Sequence, residues 1–350
     1  MKSNVKKVFF IATIITSFIF TSCSKDTWLT NLDKAKSKAS KQNKNIYLLF
    51  SGDDWDNESV AFKQSVTNTE QFNELFGKDY IFVNIDFSQE TFKKIDELPE
   101  DADKKQTKEV EKIKEEYAEK SKIAQTYAVQ NFPTAYILTS EGYVLLELPF
   151  NADLVDAASY KQEIESRKSE ITAAEDLINK IKISEGVEKV KAIDELCKSE
   201  KGNRFIASYR DFISMVPSLD PNNESGLLGD FLVRNAYFEA SKEIENNGDP
   251  SKPFVDIAEN PILTPELKQE AYYVAAYNLA MIGSTDFDKM IDYLQKSYDS
   301  NPQGVNVSGI SNALEQVKQM KSVYEQMSAS GAIAPEGASE TTSESKENQN

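Results

Sequence analysis

Ile46-Tyr47-Leu48-Leu49-Phe50-Ser51-Gly52-Asp53-Asp54-Trp55-Asp56-Asn57-Glu58-Ser59 decides the fold, read together with the distant Asn131-Phe132-Pro133-Thr134. The first five residues are an unbroken apolar run, the pattern of a strand buried on both faces. Ser51-Gly52 ends the run and an acidic turn follows. From about Asn57, Val60, Phe62, Val66 and Phe72 supply the apolar face of a helical segment and its continuation. Pro133 stands alone in an apolar patch, where it ends one helical pattern and precedes a strand.

Working outward, Leu29, Leu32, Ala35 and Ala39 predict a helix over Trp28–Gln42, broken by Asn43-Lys44 before a strand at 45–50. Gly77 stops the next helical segment, and Tyr80–Asp86 reads as a second strand. Ser88–Asp103 is polar, with Leu98-Pro99-Glu100-Asp101 as a loop. A long amphipathic helix is expected from about Gln106 to Val129, with Val110, Ile113, Tyr117, Ala124 and Ala128 as its buried stripe. Its alternating Lys and Glu read as a solvated face. Residues 134–138 and 143–148 flank Ser140-Glu141-Gly142 as a hairpin, and a helix from about Asp153 closes the unit. The order is that of an α/β sheet with a parallel part and an antiparallel hairpin.

Beyond that unit the pattern is helical. Ala152–Ile183 reads as helix, with further candidates at 187–199, 204–215, 224–246, 264–282, 285–299 and 308–327. Breaks are expected at Gly186, Pro217, Pro221, Gly248-Asp249-Pro250, Pro261, Gly283 and Pro302. This is an all-α arrangement of helical hairpins. Ala271-Tyr272-Tyr273…Leu279-Ala280 and Ser297-Tyr298…Asn301-Pro302 are faintly similar to a tetratricopeptide-type pair, with too little of the consensus to claim the repeat. Asp220-Pro221-Asn222-Asn223-Glu224-Ser225-Gly226 has the look of a calcium loop but lacks the terminal bidentate Glu, so a turn with a helix cap is the expected role.

Residues 1–22 read as an export signal. Lys2, Lys6 and Lys7 form the basic start, and Val8–Phe20 is an apolar stretch that spans only about 20 Å as a helix, short of a bilayer core of roughly 30 Å. Phe20-Thr21-Ser22-Cys23 resembles a bacterial lipobox, with Phe20 a departure from its usual leucine. Cys23 is therefore the expected lipidation site, and an exported lipoprotein facing the periplasm or cell surface is the expected location. The net charge of −17 disfavours nucleic acid as a partner. The chain contains no histidine and only two cysteines, so Cys197 is the sole thiol left after Cys23. No Ser-His-Asp triad or Cys/His zinc site can be built, no glycine-rich phosphate loop is present, and no cofactor, metal or catalytic residue is expected.

Trp28-Leu29…Ala35, Asn43-Lys44, Leu48-Leu49-Phe50-Ser51-Gly52, Asp54-Trp55, Leu98-Pro99, Tyr127-Ala128-Val129, Phe132-Pro133-Thr134 and Gly142 together resemble a secreted thioredoxin-like family whose active segment reads G-S-D-W-C-x-x-C. The resemblance covers roughly residues 27–150. It implies an α/β thioredoxin-like fold with a central mixed sheet flanked by helices, followed here by an all-α helical-hairpin domain. The expected division is a signal peptide at 1–22, a tether at 23–26, a thioredoxin-like domain at 27–170, an α-helical domain at 171–328 and a disordered tail at 329–350.

The resemblance also places Asp56 and Ser59 at the family's two redox cysteines, where neither can perform thiol–disulfide exchange. Asp56 is expected to cap the helix that begins at Asn57, an effect on the order of 1 kcal/mol. The resemblance further implies a cis Pro133 and a peptide groove lined by Trp55 and Phe132. Retention of Pro133 for the fold alone and retention for peptide binding both stand open. The expected function is binding or scaffolding in the cell envelope, through a lipid anchor and a protein or peptide partner. The alternative is a thiol–disulfide oxidoreductase or redox chaperone that uses Cys197 or a partner's thiol.

Overall fold

The computed structural model describes residues 28–99 and 101–330. The expected export signal and tether, Cys23 and the expected tail beyond Ser330 lie outside the described residues. In chain order the elements are α1 (Leu32–Gln42), β1 (Asn45–Ser51), α2 (Asn57–Phe62), a π turn (Lys63–Thr67), α3 (Glu70–Phe76), β2 (Tyr80–Asp86), α4 (Gln89–Asp96), α5 (Lys104–Thr126), β3 (Thr134–Leu138) and β4 (Val144–Pro149). There follow α6 (Ala157–Ser166), α7 (Lys168–Ile183), α8 (Gly186–Lys198), α9 (Glu200–Arg204), α10 (Arg210–Leu219), α11 (Leu228–Glu245), α12 (Lys252–Ala258), α13 (Pro265–Met281), α14 (Phe287–Ser300) and α15 (Val307–Ala329).

The sheet order is β2-β1-β3-β4. β1 pairs parallel with β2 and antiparallel with β3, and β3 pairs antiparallel with β4. The apolar run of β1 is fully buried because it is a central strand with helices on both faces. Tyr47 packs on one face against Phe72, Phe76 and Tyr160, and its hydroxyl hydrogen-bonds that of Tyr160 at 2.9 Å. Phe50 packs on the other against Tyr127 and Tyr136. The chain crosses the hairpin at Gly142 with φ of 100°, a conformation that favours glycine.

The outer edge of β4 is not left open. Tyr209 Oη donates to Val144 O at 3.0 Å, Arg167 Nη1 to Glu147 O at 2.9 Å, and Lys201 Nζ to Leu145 O. These donors from the helical region satisfy carbonyls that would otherwise invite another strand. The apolar packing is correspondingly continuous. One core runs from Leu32 through the sheet and on to Val216 and Phe231, while a second gathers residues between Val233 and Leu314.

Several sequence expectations need correction. The first helix begins at Leu32, not Trp28; Leu29 instead bridges Val83 beside β2, giving an N–H to Phe82 O and a C=O to Asn84 N. Helix α5 ends at Thr126, and Ala128 takes a positive φ of 51°, so neither it nor Val129 continues the helical stripe. The single helix expected over 152–183 is two, divided at Arg167. Pro217 lies inside α10 rather than ending it. Its ring removes one N–H, and Asn235 Nδ2 approaches the carbonyl thus freed at Ile213, at 3.4 Å. Helix α12 was not expected. Asp220 accepts N–H bonds from Glu224 and Ser225 at 2.7 and 3.0 Å, and Asn223 Oδ1 accepts from Leu228 at 3.0 Å, which is turn and cap geometry.

Candidate binding site around Trp55 and the Phe132-Pro133 turn

The end of β1 delivers Gly52, and the chain turns at once into α2. Asp56 is extended (φ −92°, ψ 110°) and its carboxylate accepts the Ser59 N–H at 2.8 Å, the N-cap expected from sequence. Ser59 goes further than expected. Its hydroxyl donates to Asp56 Oδ2 at 2.6 Å and accepts the Gly52 N–H at 3.1 Å, and the residue is fully buried. Residues 56 and 59 therefore form a closed, hydrogen-bonded couple that ties the turn to the end of β1. The nearby Lys63, one turn on, is ion-paired with Asp53 rather than directed at Ser59.

The segment after Ser59 departs from a regular helix. Lys63–Thr67 winds as a π turn, which shifts the helical phase. Ser59, Phe62 and Val66 become the buried residues, while Val60, expected on the apolar face, is only half-buried.

Trp55 lies over Gly52; a Cβ there would meet the indole at 2.5 Å. Its Nε1 donates to Phe87 O at 2.7 Å, and the ring remains 45% exposed. Phe132 stands edge-on to Trp55 at 5.9 Å and packs on Phe87 at 5.3 Å. Phe87 meets Tyr117 of α5, and Tyr117 meets the exposed Phe92 of α4. The Phe132–Pro133 peptide bond is cis. Among the described residues, neither the N–H nor the C=O of Phe132 has a hydrogen-bond partner. The structure thus brings Trp55, Phe132 and Pro133 together beside the Asp56–Ser59 couple, with the Phe132 N–H and C=O left unpaired among the described residues.

Sequence reasoning missed Phe87, Phe92 and the part played by Asp54, and read Tyr117 only as part of the buried stripe of α5. Asp54 reaches across to α4, accepting from Ser88 Oγ, Gln89 N and Glu90 N at 2.7 to 2.8 Å. Burial works to raise its pKa, but these hydrogen bonds outweigh it and hold the carboxyl below the usual range. The Ser88-Gln89-Glu90 start of a helix was a readable signal; its partner 34 residues away was not.

Beneath the turn lies a polar cluster. Asp53 N donates to Asp86 Oδ1 at 2.9 Å, Asn84 Nδ2 to Asp53 Oδ2 at 3.2 Å, and Ser51 Oγ to Asn84 Oδ1 at 2.9 Å. Burial, joined by the neighbouring Asp53 charge, raises the Asp86 pKa despite the Asp53 N–H and the attraction of Lys120 and Lys63. Cys197 is remote from all of this, on α8. It is 2% exposed, and burial pushes its thiol up to about 11. That is the state of an inert core thiol. Among the described residues no group of His, Cys, Asp or Glu could hold a metal ion, and no helix is long and apolar enough to cross a membrane.

Residues 27–123 match the family described as thioredoxin-like. With the sheet order and flanking helices above, this makes the α/β unit a thioredoxin-like domain, followed by a helical region. Residues 227–323 match a second family, described as an uncharacterised protein C-terminal domain. An uncharacterized protein of Treponema pallidum (strain Nichols) is 26% identical over 200 residues, covering 55% of this chain and 64% of that protein, so the match spans under two-thirds of the relative's length. Among solved structures, DsbH oxidoreductase is similar at 19% identity over 40% of this chain and 81% of its own, with a TM-score of 0.30.

Proposed function

We propose that the thioredoxin-like domain is a binding module without thiol–disulfide exchange. It would hold an extended polypeptide against Trp55 and Phe132, in a protein tethered to a cell-envelope membrane through Cys23. The observation that carries this reading is the pairing of a closed Asp56–Ser59–Gly52 hydrogen-bond couple with the unpaired N–H and C=O of Phe132. The first puts a carboxylate and a buried hydroxyl where the family resemblance places its two cysteines. The second offers one donor and one acceptor to a strand-like ligand, beside aromatic rings that supply apolar contact. The oxidoreductase alternative through Cys197 is disfavoured by that thiol's burial and raised pKa.

The test is a fluorescence titration of Trp55 with unfolded polypeptides, in a Trp28→Phe background so that Trp55 alone reports. Saturable change that disappears in Phe132→Ala is the expected result. No saturable change with any polypeptide would overturn the reading.

A further inference from the structure

The helical region carries a second exposed aromatic surface, far in sequence from Trp55. On α13, Glu266, Glu270, Tyr273 and Tyr277 are spaced by three and four residues and share one exposed face. Tyr273 is 37% exposed and Tyr277 52%. Tyr237 of α11 borders this face and donates its hydroxyl to Glu270 Oε1 at 3.1 Å. On the other side the loop before α15 presents Val305, 97% exposed. A groove of about 990 Å³ runs between α13 and that loop, and a smaller one of about 260 Å³ lies between α11 and α13. The two lie side by side, with Leu267 and Glu270 lining both, and together they make up the α11–α13–α15 trough.

Its lining is acidic. Asp230, Glu266 and Glu270 line the trough, and none of them is in an ion pair among the described residues. Arg234 is the single cation lining the trough. Unpaired carboxylates interleaved with exposed tyrosine rings suit Arg or Lys side chains, which can pair with the former and stack on the latter. The exposed valine and tyrosine faces suit apolar neighbours of those cations. We infer that the α11–α13–α15 trough binds a polypeptide segment in which arginine or lysine alternates with apolar residues.

The test uses the full chain and three fluorescein-labelled octapeptides: alternating leucine and arginine, alternating leucine and glutamate, and alternating glycine and serine. Fluorescence anisotropy is read at low and at physiological salt. The expected result is saturable binding of the leucine–arginine peptide only. Affinity should fall about tenfold in Glu266→Gln/Glu270→Gln and at least several-fold in Tyr273→Ser. All these side chains are exposed, and unchanged circular dichroism melts would show that the variants fold. Because the chain is acidic throughout, Glu109→Gln/Glu111→Gln on the solvated face of α5 is the control and should leave the affinity unchanged. Equal loss in the α5 control would reduce the binding to general charge attraction and overturn the proposal. So would undiminished binding in the α13 variants, or equal binding of all three peptides. The variants are also measured in a Trp55→Ala background, where any binding contributed by the thioredoxin-like surface is removed; the losses on α13 should persist there, and their disappearance would overturn the proposal.

Discussion

Ser59→Ala should be among the most damaging single-atom deletions in the thioredoxin-like domain. The hydroxyl is fully buried, 2.6 Å from the Asp56 carboxylate and 3.1 Å from the Gly52 nitrogen. Removing it deletes a hydrogen bond to a charged group, typically about 1.5–3 kcal/mol. It also leaves the buried Gly52 N–H unsatisfied, typically about 1–3 kcal/mol. The two do not add fully, because Asp56 keeps its bond from the residue-59 N–H. A loss of about 2–4 kcal/mol is expected. The assay is equilibrium urea unfolding followed by far-ultraviolet circular dichroism. With a slope of about 3 kcal/mol per molar, the midpoint should fall by roughly 1 M at unchanged slope. Asp56→Ala and the double variant complete a cycle whose coupling should be about 1–2 kcal/mol. A Ser59→Ala loss under about 1 kcal/mol, or strict additivity in the cycle, would refute the closed-couple description.

Asp86 and Asp54 should respond to pH in opposite senses. The raised pKa of Asp86 means that the folded state holds its proton more tightly than the unfolded state, so this group lowers stability as pH rises through its folded value. Asp86→Asn, which keeps an acceptor for Asp53 N, should therefore stabilise at neutral pH, with the gain fading below the ordinary value of 3.8; thermal melts from pH 3 to 7 would check it. Asp54 is held below 3.8, so its contribution is present above that value and disappears as pH falls through its folded pKa. Asp54→Ala should loosen α4, seen as faster amide exchange at Gln89 and Glu90 at neutral pH, with the difference shrinking in acid. Cys197 should resist iodoacetamide in the native protein and react on addition of denaturant, as read by mass spectrometry.

Much of the α/β unit was legible because its signals are local. The unbroken run Ile46–Phe50, the hairpin around Gly142 and the apolar run Thr134–Leu138 after Pro133 each mark their element without reference to partners, and the strands fall within a residue of where the sequence placed them. Asp56 was readable as a cap for the same reason. What stayed hidden depends on contacts across the fold. Leu29 has the spacing of a helix residue but is held extended by Phe82 and Asn84. Val60 fits a helical stripe until the π turn at Lys63–Thr67 changes the phase. Pro217 reads as a break, yet α10 accommodates it with help from Asn235, 22 residues from the Ile213 carbonyl it approaches. The second bond of Ser59, to Gly52, and the capping of β4 by Arg167, Lys201 and Tyr209 likewise join segments whose proximity no periodicity encodes.

The most direct measurement is insulin-disulfide reduction with dithiothreitol, run side by side on the native chain and on Asp56→Cys/Ser59→Cys. The expected result is a native protein no faster than the dithiothreitol blank and a variant that accelerates the reaction, because the thioredoxin-like frame is intact and only the thiols are missing. Turnover by the native chain would contradict a binding role without thiol–disulfide exchange, and silence of a folded double variant would contradict the placement of residues 56 and 59 at the redox positions.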